Sequence, residues 1–488
     1  MIRRSLALVI LLALGAAALG QNRAPESKGV PQPPPEEIAK YRRDKLAWER
    51  AATVEVYEKV GKKNAKWDAE ARLALEAVAK YFSRPEYYMG QKEIAWEHAD
   101  KAIRAGCDDP FIKYLFARLY PVGCQPSAAD HLALVTEAAE LLKKSEYPIF
   151  RKSFAHVVVA NHLTNLKNRT AETDQKASQH LDAALALFPE VLKDTSSRGQ
   201  KDSYGMGADL ILFYHALLNP GDRTKGDRTK GDRKRAFDKV APILEKSADN
   251  KAVWLLVKGQ FYREYAWDGR GGEYADKVTP ERWKLFEERI GEAEKALEAA
   301  WKEVAERQSL LKPTIATEMI MVEAGQGRGR ERMELWFKRA MLADPDNSKA
   351  CSAKIFYLEP KWHGSPKVLL EFGNECLQTE NWESTVPIAL TLAHTALSRY
   401  VPQTRIDEYW AQPAVWRDVQ KVYEPYLKRD PQDRYRRSVY LHWAVKCQQY
   451  AGAQRQLDIL GDNYSRLFYN AEEYEKAKAK VKEGMKQK

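Results

Sequence analysis

Apolar positions recur along most of this chain at steps of three and four residues, a spacing that gathers side chains on one helix face instead of alternating them across a strand. The clearest run lies between Glu331 and Glu375. There Met333, Phe337 and Ala340 share one face, and the helix ends at Asp344-Pro345-Asp346-Asn347. Pro345 cannot continue a helix and disfavours α geometry at Asp344, while Asn347 is placed to cap the next one. That second helix closes on Ile355, Phe356 and Leu358 before Pro360. Ser365-Pro366 then opens a third, with serine as N-cap, proline at the first helical position and Trp362 roofing the turn. The pattern predicts antiparallel helical hairpins in series.

The same grammar recurs on both sides of that run. Ile38, Tyr41, Trp48, Val54, Tyr57 and Val60 outline a first helix, and Trp67, Ala71, Leu75, Val78 and Phe82 its partner. A helix through Ile94, Ala95, Ala99, Ala102 and Ile103 runs into Asp108-Asp109-Pro110, a second Asp-Pro turn, where capping explains the paired carboxylates better than acid–base chemistry. Ser127 with Asp130 starts another helix. After Thr279-Pro280 the steps of three and four run from Trp283 to Val304, which predicts a helix of roughly thirty residues reaching Pro313 and bridging two halves of the stack. A Lys- and Glu-rich helix from Ala471 closes the pattern as a polar cap.

These signals divide the chain into a leader at 1–20, a Pro-rich spacer at 21–36, an N-terminal helical-repeat region at 37–218, a low-complexity basic loop at 219–235, a C-terminal helical-repeat region at 236–470 and a charged capping helix at 471–488. The leader has Arg3 and Arg4, an apolar run from Leu6 to Leu19 and Ala18-Leu19-Gly20 before Gln21, the layout of a cleavable secretory signal. The run is short for a membrane span. The general secretory route fits better than twin-arginine export. The expected location is therefore outside the cytoplasm, in the periplasm or beyond the cell.

Charge changes this picture little. Net charge is +11, but more than half of that excess sits in the leader and in the GDRTK repeats between Gly221 and Arg235. The rest of the chain is only mildly basic, which argues against a nucleic-acid partner. The repeats read as a solvated insertion, with polyanion binding as the sharper alternative.

Candidate chemistry is sparse. Five cysteines show neither CxxC nor a ligand spacing with histidine. Cys351, early in one helix, and Cys376, late in the next, meet if the hairpin is antiparallel, so a disulfide between them stands beside the commoner state of buried free thiols. His156 and His162 do not share a helix face, and no HExxH occurs, so no metal site is expected. The glycine-rich stretches Trp267–Gly272 and Gly325–Arg330 lack the register of a phosphate loop. No cofactor is expected. His363 is the best candidate for a functional histidine, with turn packing as its plainer role.

Ala177, Leu181, Ala184 and Pro189 are spaced like Met333, Phe337, Ala340 and Pro345, and Tyr423, Tyr426 and Pro431 repeat the later part. This spacing resembles the second helix of a tetratricopeptide repeat, although the first-helix signature of that family is absent. The stretches AGCDDP, ADPDN and EPKWHGS, the last carrying Trp362, His363, Gly364 and Ser365, resemble an uncharacterised family of exported bacterial helical proteins. Together these readings predict an all-α, right-handed solenoid of stacked antiparallel hairpins, irregular and tetratricopeptide-like. The function expected of it is non-catalytic: a concave surface that holds a peptide or protein partner. The alternative is a protein that binds or processes cell-envelope polysaccharide through aromatic side chains.

Overall fold

A computed structural model describes residues 29–121, 127–166, 168–194, 197–218, 232–273, 275–306 and 309–486. The helices are, in order, α1 (Pro35–Ala52), α2 (Val54–Val60), α3 (Asp68–Ser83), α4 (Met89–Arg104), α5 (Pro110–Leu119), α6 (Ala128–Lys143), α7 (Ile149–Thr164) and α8 (Ala171–Lys193). They continue with α9 (Ser197–Leu218), α10 (Asp232–Glu245), α11 (Lys251–Arg270), α12 (Pro280–Val304), α13 (Lys312–Gln326), α14 (Arg330–Ala343) and α15 (Ser348–Tyr357). The last are α16 (Pro366–Gln378), α17 (Ala389–Ser398), α18 (Ile406–Trp410), α19 (Pro413–Arg429), α20 (Arg434–Lys446), α21 (Tyr450–Leu460) and α22 (Ala471–Lys486).

The hairpins arise where the residues call for them. Asp109 accepts from the amides of Phe111 and Ile112 with Pro110 opening α5, Asn347 accepts from Ala350 to open α15, and Ser365 accepts from Val368 with Pro366 opening α16. Each supplies an acceptor to amides that have no partner inside the helix. Helices adjacent in sequence then pack together, as do α7 with α9 and α13 with α15 one step further along. No strand occurs among the described residues. The molecule is an all-α stack of hairpins, as the periodicity predicts.

Several expectations are corrected. The first helix breaks at Thr53 into α1 and α2. The long helix is α12, 25 residues ending at Val304; Pro313 opens α13 instead of stopping α12, since proline is well suited to a first turn. It packs mainly on α11 and α13 and bridges no halves. Pro189 does not end its helix: α8 runs on to Lys193, its last turn held by buried Phe188, Val191 and Leu192.

The predicted segment boundaries also shift. Part of the Pro-rich spacer is packed, with Val30 against the main core and Pro35 and Glu36 inside α1. The end of the basic loop belongs to α10, where Arg233 pairs with Glu264 and with Asp268 at 2.6 Å. One apolar cluster runs from Phe150 to Leu397, so the core is continuous across the predicted division at 219–235. The leader at 1–20, residues 21–28 and residues 219–231 lie outside the described residues.

Two features of the packing have no counterpart in the periodicity. Asparagines stitch successive turns on one edge of the stack. The Asn250 amide donates to Leu192 O at 2.5 Å, Asn347 to Thr317 Oγ1 at 3.1 Å and Asn381 to Pro345 O at 3.2 Å. The second feature is closure. Stacked repeats touch only their neighbours, so their ends normally stay apart. Here the buried Glu93 of α4 accepts from Ser465 Oγ and from the Arg466 amide, both at 2.9 Å. Arg434 reaches Glu97 at 2.5 Å, and Arg436 donates to Tyr87 O at 2.8 Å. The N-terminal hairpin thus docks on the C-terminal turns.

Candidate functional site

The turn bearing Trp362, His363, Gly364 and Ser365 is built for packing. A Cβ on Gly364 would lie 2.0 Å from Leu358 O, so no larger residue fits the close approach of the chain to itself. His363 donates Nε2–H to Ala324 O at 3.0 Å. Trp362 meets Trp267 edge to face, ring centroids 5.4 Å apart, and the Arg270 guanidinium lies over Trp267, Trp283 and Trp362. The signature turn and both glycine-rich stretches therefore converge on one packed corner.

Cys351 and Cys376 do come together. Both are buried free thiols, and burial together with the hydrogen bond that the Cys376 thiol makes to Cys351 holds it well above its ordinary value. Histidines also meet in pairs across the stack. His156 Nδ1 and His180 Nδ1 are 3.0 Å apart, and the His131 and His162 rings meet at 4.5 Å. Among the described residues no group of three or more His, Cys, Asp or Glu side chains is arranged to hold a metal ion.

The most accessible geometry lies beside α1. This helix is largely polar, and only Glu49 and Ala52, at its C-terminal end, are buried. Its first turns cross the edge formed by the turns α12–α13, α14–α15 and α16–α17. A cleft of about 790 Å³ opens on one side, lined by Pro33, Ile38, Leu46, Arg84, Tyr88 and Thr379 among others. A second, about 710 Å³, opens on the other side, lined by Tyr41, Trp48, Leu310, Leu342 and Pro345 among others. Leu310 and Leu342 are 39% and 46% exposed, which leaves apolar surface for an incoming chain.

Charged and polar contacts seat α1 on this edge, those of the Arg42 guanidinium the most numerous, with Lys45 pairing with Asp344 at 3.7 Å. Arg42 Nε donates to Asp346 Oδ2 at 3.0 Å and Nη2 to Oδ1 at 2.7 Å, a bidentate fork that a lysine could not make. The same guanidinium donates to Asn381 Oδ1 at 2.6 Å and Glu383 Oε2 at 2.8 Å. Burial by itself disfavours the Arg42 charge, and the hydrogen bond and charge of Asp346 overcome that cost, leaving Arg42 above its ordinary value. Asn381 also donates to Asp346 Oδ1 at 3.0 Å, and Arg84 donates to Glu383 O at 2.6 Å. Tyr41 bonds Asp344, and burial first, then the charge of Asp344, pushes its hydroxyl upward.

Sequence reasoning did not single out Arg42, Arg84, Asn381 or Glu383 as a group. In sequence Asp346 belongs only to a turn, and its separation from Arg42, some three hundred residues, carries no local signal. The nearest hint is the acidic Asp-Pro-Asp turn facing a basic first helix.

No family model matches this chain, so the resemblance to an exported bacterial family has no matching model behind it. No curated protein matches either. Among solved structures, the crystal structure of yeast Tom70 is similar at 11% identity, covering 93% of this chain and 96% of that one with a TM-score of 0.25. The packing of successive helices on one another by itself makes the described part of the chain a stack of helical hairpins. No helix among the described residues is long and apolar enough to cross a membrane.

Proposed function

We propose that this is an exported, non-catalytic helical-repeat protein that holds a peptide or protein partner. The observation that carries the reading is the pair of clefts beside α1, where exposed Leu310 and Leu342 adjoin half-buried Trp48 and a rim of charge. This combination of an apolar floor and polar rim suits a polypeptide segment. It also relocates the expected surface, from the concave face of a solenoid to its turn edge. Export rests on the leader alone.

A photo-reactive amino acid at Leu342 in the producing cell tests this. The expected outcome is a discrete protein adduct, absent when the same group replaces Leu73, which is 48% exposed on α3. Adducts of polysaccharide alone, or identical adducts from both positions, would overturn the reading.

A further inference from the structure

We propose that the corner formed by Trp267, Arg270, Arg282 and Trp362 binds a compact oxyanion of the phosphate class. These residues come from the last turn of α11, the first turn of α12 and the turn between α15 and α16. The site is therefore separate from the clefts beside α1.

The corner holds positive charge without its counterpart. Arg270 is only 6% exposed, yet its Nη1 donates to carbonyls alone, Gly271 O at 3.2 Å and Glu273 O at 3.1 Å. Arg282 lies beside it and donates from Nε to Gly269 O at 3.2 Å. Among the described residues neither guanidinium has a carboxylate at ion-pair distance. The nearest acid in sequence, Asp268, is committed to Arg233 at 2.6 Å. Burial, and then the charge of Arg282, lowers Arg270 from its ordinary value, and no carboxylate offsets them. The carbonyl end of α11 compensates part of this charge, but a buried cation beside a second cation still calls for an anion.

The same corner holds donors without acceptors. Arg270 Nε, Trp267 Nε1 and Trp362 Nε1 are buried, and none has a hydrogen-bond partner among the described residues. An indole N–H can only donate, and a buried one normally finds an acceptor. The three groups are close together: the indole rings lie 5.4 Å apart, and the guanidinium lies 5.5 Å from the Trp267 ring and 5.8 Å from that of Trp362. An oxyanion answers both deficits, since its oxygens accept from guanidinium and indole while its charge offsets the two arginines. Water would serve the donors and leave the charge. Gly271, at φ 78°, lets Arg282 close over the turn, because a Cβ there would collide with Arg282 Nη2. Side chains supply the donors here, so the spacing of a phosphate loop is not needed.

The test titrates the full chain with inorganic phosphate at constant ionic strength, read by calorimetry and by the thermal midpoint. The expected result is saturable one-to-one binding with a rise in midpoint, and neither with chloride. Trp362→Phe keeps an aromatic ring and removes one N–H, and should weaken phosphate roughly tenfold. Arg282→Gln removes a charge-assisted donor and should weaken it tenfold or more. Trp416→Phe, on α19, should leave the affinity unchanged. O-phosphoserine titrated in parallel separates two sources of the same chemistry: binding as tight as inorganic phosphate supports a phosphate carried on a larger molecule, and much weaker binding supports the free ion. No saturable binding by the wild-type chain, or an equal effect of chloride, would overturn the site without recourse to any variant. Undiminished affinity in both Trp362→Phe and Arg282→Gln would overturn its placement at this corner.

Discussion

Closure of the stack makes a prediction that an open row of repeats would not. Glu93 is 1% exposed and accepts from Ser465 Oγ and the Arg466 amide while facing Arg434 Nε at 3.3 Å. Glu93→Ala removes all three partners at once. Breaking a buried ion pair from one side costs about 3–5 kcal/mol. Arg434 keeps Glu97 at 2.5 Å, so part of its charge stays compensated and the loss should lie near the lower end of that range. Glu93→Gln keeps the shape and one acceptor, and should cost about 1–2 kcal/mol.

Hydrogen exchange read by mass spectrometry separates closure from local damage. If the ends are joined, Glu93→Ala lowers protection in α4 and also in the turn 461–470 and the start of α20, hundreds of residues away. Loss confined to α4 and its sequence neighbours α3 and α5 would refute closure, because only a joined stack passes the effect to the far end.

Further outcomes follow from individual sites. Gly364→Ala should lower the thermal midpoint by several degrees in a melting experiment, since the new Cβ would meet a backbone oxygen that cannot move cheaply; an unchanged midpoint would refute the close approach. Burial, and then the charge of a neighbouring histidine, depresses His156 and His162 to about 4. Their stabilising contribution is therefore complete above 6.5 and lost as pH falls through 4. Asp209 runs the other way, raised to about 6 by burial, so its contribution is complete below the ordinary carboxylate range and lost as pH rises through 6. The histidines outnumber it, and His156→Gln with His162→Gln should flatten the acid limb of a stability curve between pH 6.5 and 4; an unaltered limb would refute the assignment. Cys351 and Cys376, buried with the Cys376 thiol held up, should resist thiol reagent in the native protein and react once unfolded; fast native labelling would show the pair to be accessible.

The packed corner and the cluster around Arg42 differ in how much of each the chain announces. Trp362, Gly364 and Ser365 stand out in sequence because turn chemistry is local: a cap, a proline and a glycine act within a few residues of one another. That cluster brings together Arg42, Asp346, Asn381 and Glu383, ordinary surface types with no spacing rule between them. The asparagine stitches are equally silent, because each asparagine bonds the preceding turn only after two helices have packed between them.

What the chain alone determined is therefore the hairpin alphabet: helix faces from the three-and-four steps, their ends from Asp-Pro and Ser-Pro turns, and the absence of a recognisable catalytic motif. Tertiary structure decided where α1 lies, that α4 meets the turn after α21, and that Pro189 and Pro313 act as helix interior and helix start. Periodicity reports which side of a helix is buried, not which distant surface covers it. The apolar positions of α1, Ile38, Tyr41 and Trp48, announce a helix without saying which surface it covers, and its ion pairs and hydrogen bonds to Asp344, Asp346 and Asn381 fix that seat.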